Sequence, residues 1–322
     1  QRLGLNWLVF LRTYGFGGVL ADDMGLGKTL QTLAFILHLK ETRQLKKPVL
    51  VVAPTSLMGN WSREAAHFAP SLRVTRIHGP ERGDLFKQIK NSDLVLTTYP
   101  LLLRDGDKYK NHQFAVLVLD EAQYVKNSQT KIAQQVRQIK GETRLCLTGT
   151  PLENHLGELW SLMDFALPGL LGNRDHFRTQ FRNPIESDGN SERQSDLARR
   201  VAPFMLRRVK ADVAGELPPK TEIIHYIELE GGQRQLYESI RVTMEKRIRD
   251  LIKDKGFARS QIEFLDALLK LRQACIDPRL VKLDKAQNIH EHAKMDWLAE
   301  NLPQLLEEGH SILVFSQFTT FL

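Results

Sequence analysis

The chain has 322 residues, of which 45 are lysine or arginine and 38 are aspartate or glutamate, so its formal net charge is +7. This length allows two domains with a sizeable core in each, and the basic excess is compatible with a polyanionic partner without establishing one. The 2 cysteines support neither a disulfide framework nor a metal site, and no apolar run approaches membrane-spanning length. We therefore expect a soluble protein of a reducing compartment.

Short apolar runs alternate with segments of helical apolar spacing over about the first 165 residues. Strands are predicted at 19–21, 48–54, 72–77, 93–97, 114–119 and 143–147, and helices at 1–14, 29–39, 61–66 and 85–89. The run at 114–119 is continuously aliphatic, which is typical of a strand buried on both faces of a parallel sheet. The pattern predicts an open α/β sheet with right-handed crossovers.

From residue 168 onward the pattern becomes mainly helical. Short helical pieces with glycine and proline breaks fill 170–208, and a long charged helical stretch over 233–275 is interrupted at Gly256. Further predictions are a strand at 221–230, a helix at 294–306 and a buried strand at 311–315.

The loop between the first strand and its helix has the composition of a phosphate-binding loop. Gly25 and Gly27 allow backbone N–H groups to turn towards a phosphate, and the helix N-terminus adds partial positive charge at the same point. Lys28 would neutralise the β- and γ-phosphates of a nucleotide, and the Thr29 hydroxyl would bind Mg²⁺. The match to the usual motif is imperfect because Asp22 occupies the position of its first glycine, and an ordinary strand–turn–helix joint is the alternative.

Two adjacent carboxylates, Asp120 and Glu121, follow the buried strand 114–119. Open α/β sheets bind ligands at the carboxyl ends of their strands. Beside a phosphate loop, one carboxylate can hold Mg²⁺ and the other can orient or deprotonate an attacking water. A solvated acidic turn is the alternative interpretation, and the nearby loop with Lys28 disfavours it.

These motifs belong to an ordered series that resembles the motor of the Snf2 family, the superfamily 2 helicase-like ATPases that translocate along duplex DNA. The series comprises QRLGLNWL at 1–8, DDMGLGKT at 22–29, VVAPTSL at 51–57, NW at 60–61, LTTY at 96–99, DEAQ at 120–123 and LTGTPLEN at 147–154. It continues with LRRVK at 206–210, LPPK at 217–220, LRQAC at 271–275 and ILVFSQF at 312–318. In this family Asp22 is the usual residue at its position, and Gln123 resembles the bacterial branch.

The resemblance implies roles for individual residues. Adenine would contact Gln1, and the nucleotide would be bound by Asp23, Met24, Gly25, Leu26, Gly27, Lys28 and Thr29. The catalytic residues would be Glu121 as general base, Asp120 with Thr29 as Mg²⁺ ligands, and Lys28 as phosphate ligand. The DNA backbone would be contacted by Thr55, Ser56, Thr97 and Thr98, and nucleotide state would be coupled to lobe movement by Thr148, Gly149 and Thr150.

Some residues near these motifs have a simpler interpretation. Thr55 and Ser56 are also a natural N-cap for the helix that contains Trp61, and Trp61 is expected in the core rather than as a base-stacking platform. Contact with phosphate and a solvated basic turn are equally compatible with Arg207, Arg208 and Lys210.

The expected domain organisation follows the same resemblance. A RecA-like ATP-binding lobe 1 would cover 1–167, a helical protrusion and linker 168–232, a family-specific helical insertion 233–289, and the start of a second RecA-like lobe 290–322. Because the chain begins with Gln1 and ends directly after a predicted strand, we read it as part of a longer protein. The family's motifs V and VI are absent from it, so we expect the chain alone to bind ATP but to hydrolyse it weakly.

The sequence as a whole indicates an ATP-dependent double-stranded DNA translocase that remodels protein–DNA complexes, with ATP and Mg²⁺ as cofactors. The expected partners are duplex DNA, contacted without sequence preference, and a DNA-bound protein; we expect no membrane association and a monomeric motor. The location would be cytoplasmic and nucleoid-associated in a bacterium, or nuclear in a eukaryote. A strand-separating helicase or RNA-dependent ATPase, and a non-catalytic DNA-binding scaffold, are the alternatives.

Overall fold

The computed structural model describes residues 1–149, 155–213, 221–256 and 260–321. The chain divides into two compact units, Gln1–Pro218 and Pro219–Leu322. The finer division of the chain into four segments stays a prediction. Within the described part of the chain, no helix combines the length and the apolar character needed to cross a membrane.

The first unit is built on a parallel sheet of seven strands in the order β3-β4-β2-β5-β6-β1-β7. The strands are β1 Gly18–Leu20, β2 Val49–Ala53, β3 Val74–Arg76, β4 Leu94–Thr98, β5 Gln113–Asp120, β6 Lys140–Leu147 and β7 Met205–Leu206. Every neighbouring pair is parallel. The predicted open α/β sheet is therefore confirmed.

Helices cover both faces of this sheet. They are α1 Arg2–Thr13, α2 Lys28–Glu41, α3 Met58–Phe68, α4 Arg82–Leu85, α5 Tyr99–Lys110, α6 Lys131–Arg137, α7 Leu156–Ala166, α8 Arg174–Phe177, α9 Asn183–Glu186, α10 Ser191–Val201 and α11 Lys210–Val213. Strand β2 shows why the sheet needs both layers, because Leu50 and Val52 join one hydrophobic cluster while Val49 and Val51 join the other. Successive side chains of a strand point to opposite faces, so a continuous aliphatic strand is stable only between two helical layers.

The second unit is helical, with α12 Gly231–Lys255, α13 Gln261–Ile276 and α14 Ala293–Glu307. Helices α12 and α13 pack around a small hydrophobic cluster that includes Leu236, Ile240 and Ala274. Gly256 ends α12 with a φ of 78°, a backbone conformation that residues with a Cβ rarely adopt. The long helical stretch with an interruption at Gly256 is therefore confirmed.

Two strand predictions in the second unit are wrong. Residues 221–230 and 311–315 have no strand partner among the described residues. Their apolar side chains are largely exposed, with 90% exposure for Tyr226 and 86% for Phe315. A strand needs a neighbour to pair its backbone groups, and apolar alternation alone does not supply one.

Strand β7 was not predicted, because residues 170–208 have the composition of short helical pieces. Its two residues pair in parallel with β1, Met205 with Val19 and Leu206 with Leu20. Two residues carry no detectable periodicity, so only the completed sheet identifies the strand. The pairing brings the segment after β7 beside the loop after β1.

Candidate nucleotide-binding site

The predicted site residues come together at the carboxyl edge of the sheet. Strands β1, β6 and β5 are adjacent, with Leu20 paired to Leu147 and Leu147 paired to Asp120. The loop after β1 and the Asp120–Glu121 pair after β5 therefore lie at one edge, where α/β sheets bind ligands.

The glycines of the loop after β1 have the conformations that the sequence requires. Gly25 and Gly27 have φ values of 85° and 77°, and Gly27 immediately precedes the first residue of α2. No side chain caps this helix, so the N–H groups of its first turn are directed at the loop. A helix N-terminus of this kind favours an anion such as a phosphate.

Lys28 lies at the centre of the acidic residues of the site. Its Nζ donates a hydrogen bond of 2.7 Å to the carbonyl oxygen of Asp22. Burial lowers the pKa of the Lys28 ammonium, while the carboxylates of Glu121 and Asp120 act in the opposite direction. The ammonium is thus hydrogen-bonded to the loop after β1 and within electrostatic range of the carboxylates after β5.

The other predicted loop residues contact the elements around them. The Gln1 amide packs against Gly27, where an added Cβ would lie 2.9 Å from Nε2. Asp23 Oδ2 accepts a hydrogen bond of 3.0 Å from the backbone N–H of Lys210, and Met24 packs beside Gly149.

Asp22 is fully buried and forms an ion pair with Arg208. Its Oδ1 accepts hydrogen bonds from the Arg208 backbone N–H at 3.0 Å and from Nε at 2.9 Å, and its Oδ2 accepts one from Nη2. The Arg208 guanidinium is therefore engaged with a buried carboxylate, so the solvated-turn interpretation of this residue is wrong. Contact of Arg208 with phosphate stays a prediction. A buried carboxylate requires a cation, but the sequence does not show that Asp22 is buried, so this pair was missed.

The Asp120 side chain is buried and held by two donors. Oδ1 accepts a hydrogen bond of 2.9 Å from the Glu121 backbone N–H, and Oδ2 accepts one of 2.7 Å from Trp61 Nε1. The Asp120 carbonyl oxygen accepts a third, of 2.7 Å, from the Tyr99 hydroxyl. Burial raises the pKa of the Asp120 carboxyl, and the Trp61 hydrogen bond opposes that rise. Trp61 is in the core as predicted, but its donor to Asp120 was missed.

Glu121 has a left-handed backbone conformation, with φ of 48° and ψ of 56°. Such a conformation is costly for a residue with a Cβ and is frequent at functional sites. Glu121 Oε2 accepts a hydrogen bond of 2.8 Å from Gln123 Nε2, and Gln123 Oε1 accepts one of 3.2 Å from the Thr148 hydroxyl. Two side-chain hydrogen bonds thus connect Glu121, which follows β5, to Thr148, which follows β6.

The predicted DNA-contact residues divide into two groups. Thr55 and Ser56 are exposed in a 3₁₀ turn, Thr55–Leu57, and neither side chain caps the following α3, so the predicted N-cap is wrong. Thr97 and Thr98 are buried. The Tyr109 hydroxyl donates to Thr97 Oγ1 at 2.7 Å, and Thr98 Oγ1 accepts a hydrogen bond of 3.4 Å from the backbone N–H of Leu101 in the first turn of α5. Both hydroxyls are therefore buried and hydrogen-bonded within the fold, and their contact with DNA stays a prediction.

The residues fit Mg²⁺ and a nucleoside triphosphate. Asp120 supplies a buried carboxylate, and Thr29 lies half-buried in the first turn of α2. Carboxylate and hydroxyl oxygens are the ligands that Mg²⁺ takes together with substrate phosphates.

Of the residues predicted to couple nucleotide state to lobe movement, Gly149 belongs to the described residues, whereas Thr150 lies outside them.

Comparison with known proteins gives a consistent result. The sequence profile of the SNF2-related domain matches residues 1–280. The Bacillus subtilis protein YwqA, whose name assigns it to the ATP-dependent helicases or translocases, is 39% identical over 99% of this chain and 35% of its own length. The human SWI/SNF-related matrix-associated actin-dependent regulator of chromatin subfamily A member 1 is 37% identical over 100% of this chain and 32% of its own.

A solved structure, the Sulfolobus solfataricus SWI2/SNF2 ATPase core in complex with dsDNA, is also similar. It shares 37% identity and a TM-score of 0.63, with 99% of this chain and 66% of that chain covered. The chain thus spans about a third of the length of the curated relatives. The similarity to YwqA is consistent with the bacterial branch that Gln123 indicated. The chain belongs to the family of proteins with an SNF2-related domain.

Proposed function

We propose that this chain is the nucleotide-binding part of an ATP-dependent motor that moves along double-stranded DNA and remodels protein–DNA complexes. The observation that carries the proposal is that the adjacent strands β1, β6 and β5 bring the loop that ends at Lys28 and the Asp120–Glu121 pair to one sheet edge. A cation at a helix N-terminus beside two carboxylates is the set of groups that phosphoryl transfer needs.

In this proposal the loop Asp23, Met24, Gly25, Leu26 and Gly27 surrounds the phosphates, and Gln1 contacts the adenine. Lys28 neutralises the β- and γ-phosphates. Thr29 and Asp120 hold Mg²⁺, which when bound spreads the negative charge of the transferred phosphoryl group. Glu121 accepts a proton from the attacking water.

The DNA part of the proposal is supported by two observations. A similar ATPase core has been solved in complex with dsDNA. Thr55 and Ser56 are exposed in a turn at the carboxyl edge of β2, where their hydroxyl and N–H groups are accessible to a DNA backbone. Backbone contacts carry no base information, so binding should be independent of sequence. The displaced partner is a DNA-bound protein, and one copy of the motor is sufficient.

Binding of a fluorescent ATP analogue tests the nucleotide site directly. We expect Lys28→Ala to weaken binding at least about tenfold, because a charge-assisted phosphate contact is lost. Lys46→Ala is the matched control, since Lys46 is exposed just after α2. Equal affinity of both variants and the wild type would contradict the proposed role of Lys28.

A further inference from the structure

Asp120 is held by two buried aromatic donors that come from different segments. Trp61 Nε1 lies 2.7 Å from Asp120 Oδ2, and the Tyr99 hydroxyl lies 2.7 Å from the Asp120 carbonyl oxygen. Both aromatic side chains are 0% exposed.

The two donors belong to the two segments that follow β2 and β4. Trp61 lies in the first turn of α3, directly after the exposed turn Thr55–Leu57. Tyr99 is the first residue of α5. The sheet has the strand order β4-β2-β5, so both segments lie on the same side of Asp120 at the carboxyl edge.

A displacement of either segment would move a donor on Asp120. From Leu57 to Trp61 the chain is continuous helical backbone, so a shift of the exposed turn is transmitted to the indole. The indole bonds the same carboxylate that we assign to Mg²⁺, and its hydrogen bond to that carboxylate is charge-assisted.

We propose that Trp61 and Tyr99 are positioning residues that fix the orientation of Asp120 and couple the segments after β2 and β4 to the nucleotide site. This inference rests on the proposed function. It assigns the coupling of DNA binding and nucleotide binding to the Trp61 indole and the Tyr99 hydroxyl. The roles that the sequence motifs imply for individual residues include neither of them.

The coupling is measurable as a binding equilibrium in the full-length protein, with Glu121→Gln as a background that suppresses hydrolysis. The affinity for Mg²⁺ and a fluorescent ATP analogue is measured with and without a duplex oligonucleotide, and the ratio is the coupling factor. Tyr99→Phe deletes only the hydroxyl, and Trp61→Phe deletes the indole donor. We expect each substitution to reduce the coupling factor about fivefold, the effect of one lost hydrogen bond.

Trp160→Phe is the matched control, because Trp160 is also buried and its Nε1 donates to the carbonyl oxygen of Gly172 at 3.1 Å. It should leave the coupling factor unchanged. A second readout uses no metal: the indole N–H resonance of Trp61, assigned by its loss in Trp61→Phe, should shift when duplex DNA is added. If Trp61→Phe does not fold, Tyr99→Phe and the control provide the test.

The outcomes separate the inference from the proposed function. If the wild-type background shows no coupling between duplex and nucleotide, the proposed function fails and the inference fails with it. If the background shows coupling and Tyr99→Phe retains all of it, the inference is overturned while the proposed function stands. Loss of coupling in the Trp160 control as well would also overturn it, because the effect would then be one of general stability.

Discussion

Arg208 is hydrogen-bonded to Asp22 across 186 residues of sequence, through its backbone N–H and its guanidinium. The Asp22 side chain is 0% exposed and that of Arg208 is 14% exposed. Gln31 completes the arrangement, because its Oε1 accepts a hydrogen bond of 2.6 Å from Arg208 Nη2. The loop after β1 is therefore fixed by the segment after β7.

Breaking this pair should destabilise the protein strongly. For Arg208→Gln we expect a loss of about 3 to 5 kcal/mol in the free energy of unfolding, because a buried carboxylate is left without its cation. Urea unfolding measures it, with the exposed Arg207→Gln as the control. Asp22→Gly, which restores the usual glycine of a phosphate loop, should also destabilise. An unchanged stability for Arg208→Gln would show that the pair is not structural.

The hydrogen bonds that connect Glu121, Gln123 and Thr148 should affect the turnover of ATP more than its binding. Gln123→Ala removes both of its side-chain hydrogen bonds. We expect kcat to fall about tenfold with little change in the affinity for ATP, because a hydrogen bond to the Glu121 carboxylate is lost. Steady-state kinetics measure both quantities, and the exposed Gln129→Ala is the control. A raised KM with an unchanged kcat would assign Gln123 to nucleotide binding instead.

Near the proposed DNA surface, Thr55 and Ser56 are exposed whereas Thr97 and Thr98 are buried. We expect the double variant Thr55→Ala, Ser56→Ala to weaken duplex binding about fivefold, the effect of lost hydrogen bonds to the backbone. The salt dependence should remain, because no charge is removed. Thr97→Val should leave duplex binding unchanged and lower the stability by about 1 to 2 kcal/mol, since the Tyr109 hydroxyl loses its acceptor. Fluorescence anisotropy with labelled duplex measures the binding. Weaker binding by Thr97→Val together with unchanged binding by the Thr55, Ser56 double variant would contradict the assignment of Thr55 and Ser56 to the DNA surface.

Asp93 should make the stability depend on pH in the acid range. Burial alone would raise the pKa of its carboxyl, but hydrogen bonds from Arg73 and Lys40 lower it from the ordinary value of 3.8 to about 2. A carboxyl with a lowered folded-state pKa stabilises the fold above its unfolded pKa, and this stabilisation is lost as the pH falls towards about 2. Urea unfolding at several pH values should show a shallower acid decline for Asp93→Asn. If Asp93→Asn and the wild type lose stability equally as the pH falls, Asp93 does not contribute to the acid destabilisation.

The sequence predicted the elements that depend on local pattern. The strands β2 and β5 are continuous aliphatic runs, and the loop from Gly25 to Thr29 has a composition that few other structures require. The side chains that long-range packing brings together were not predictable. Arg208 meets Asp22 only because β7 pairs with β1, and Trp61 meets Asp120 only because β2 and β5 are neighbours.

The burial of a side chain depends on packing that the local sequence pattern does not show. Thr55 and Thr97 both follow or end an aliphatic strand, and nothing in the local pattern shows that one is exposed and the other is buried. The strand predicted at 311–315 failed for a related reason, because a strand depends on a partner elsewhere in the chain.

Steady-state ATP hydrolysis by the full-length protein tests the central proposal most directly. It is measured with duplex DNA, single-stranded DNA, RNA and no nucleic acid, with Glu121→Gln as the blank, which should lower kcat at least about a hundredfold. The proposal predicts strong stimulation by duplex DNA alone. Stimulation by single strands or RNA would favour a strand-separating helicase or RNA-dependent ATPase, and no hydrolysis under any condition at saturating ATP would contradict the assignment of a motor.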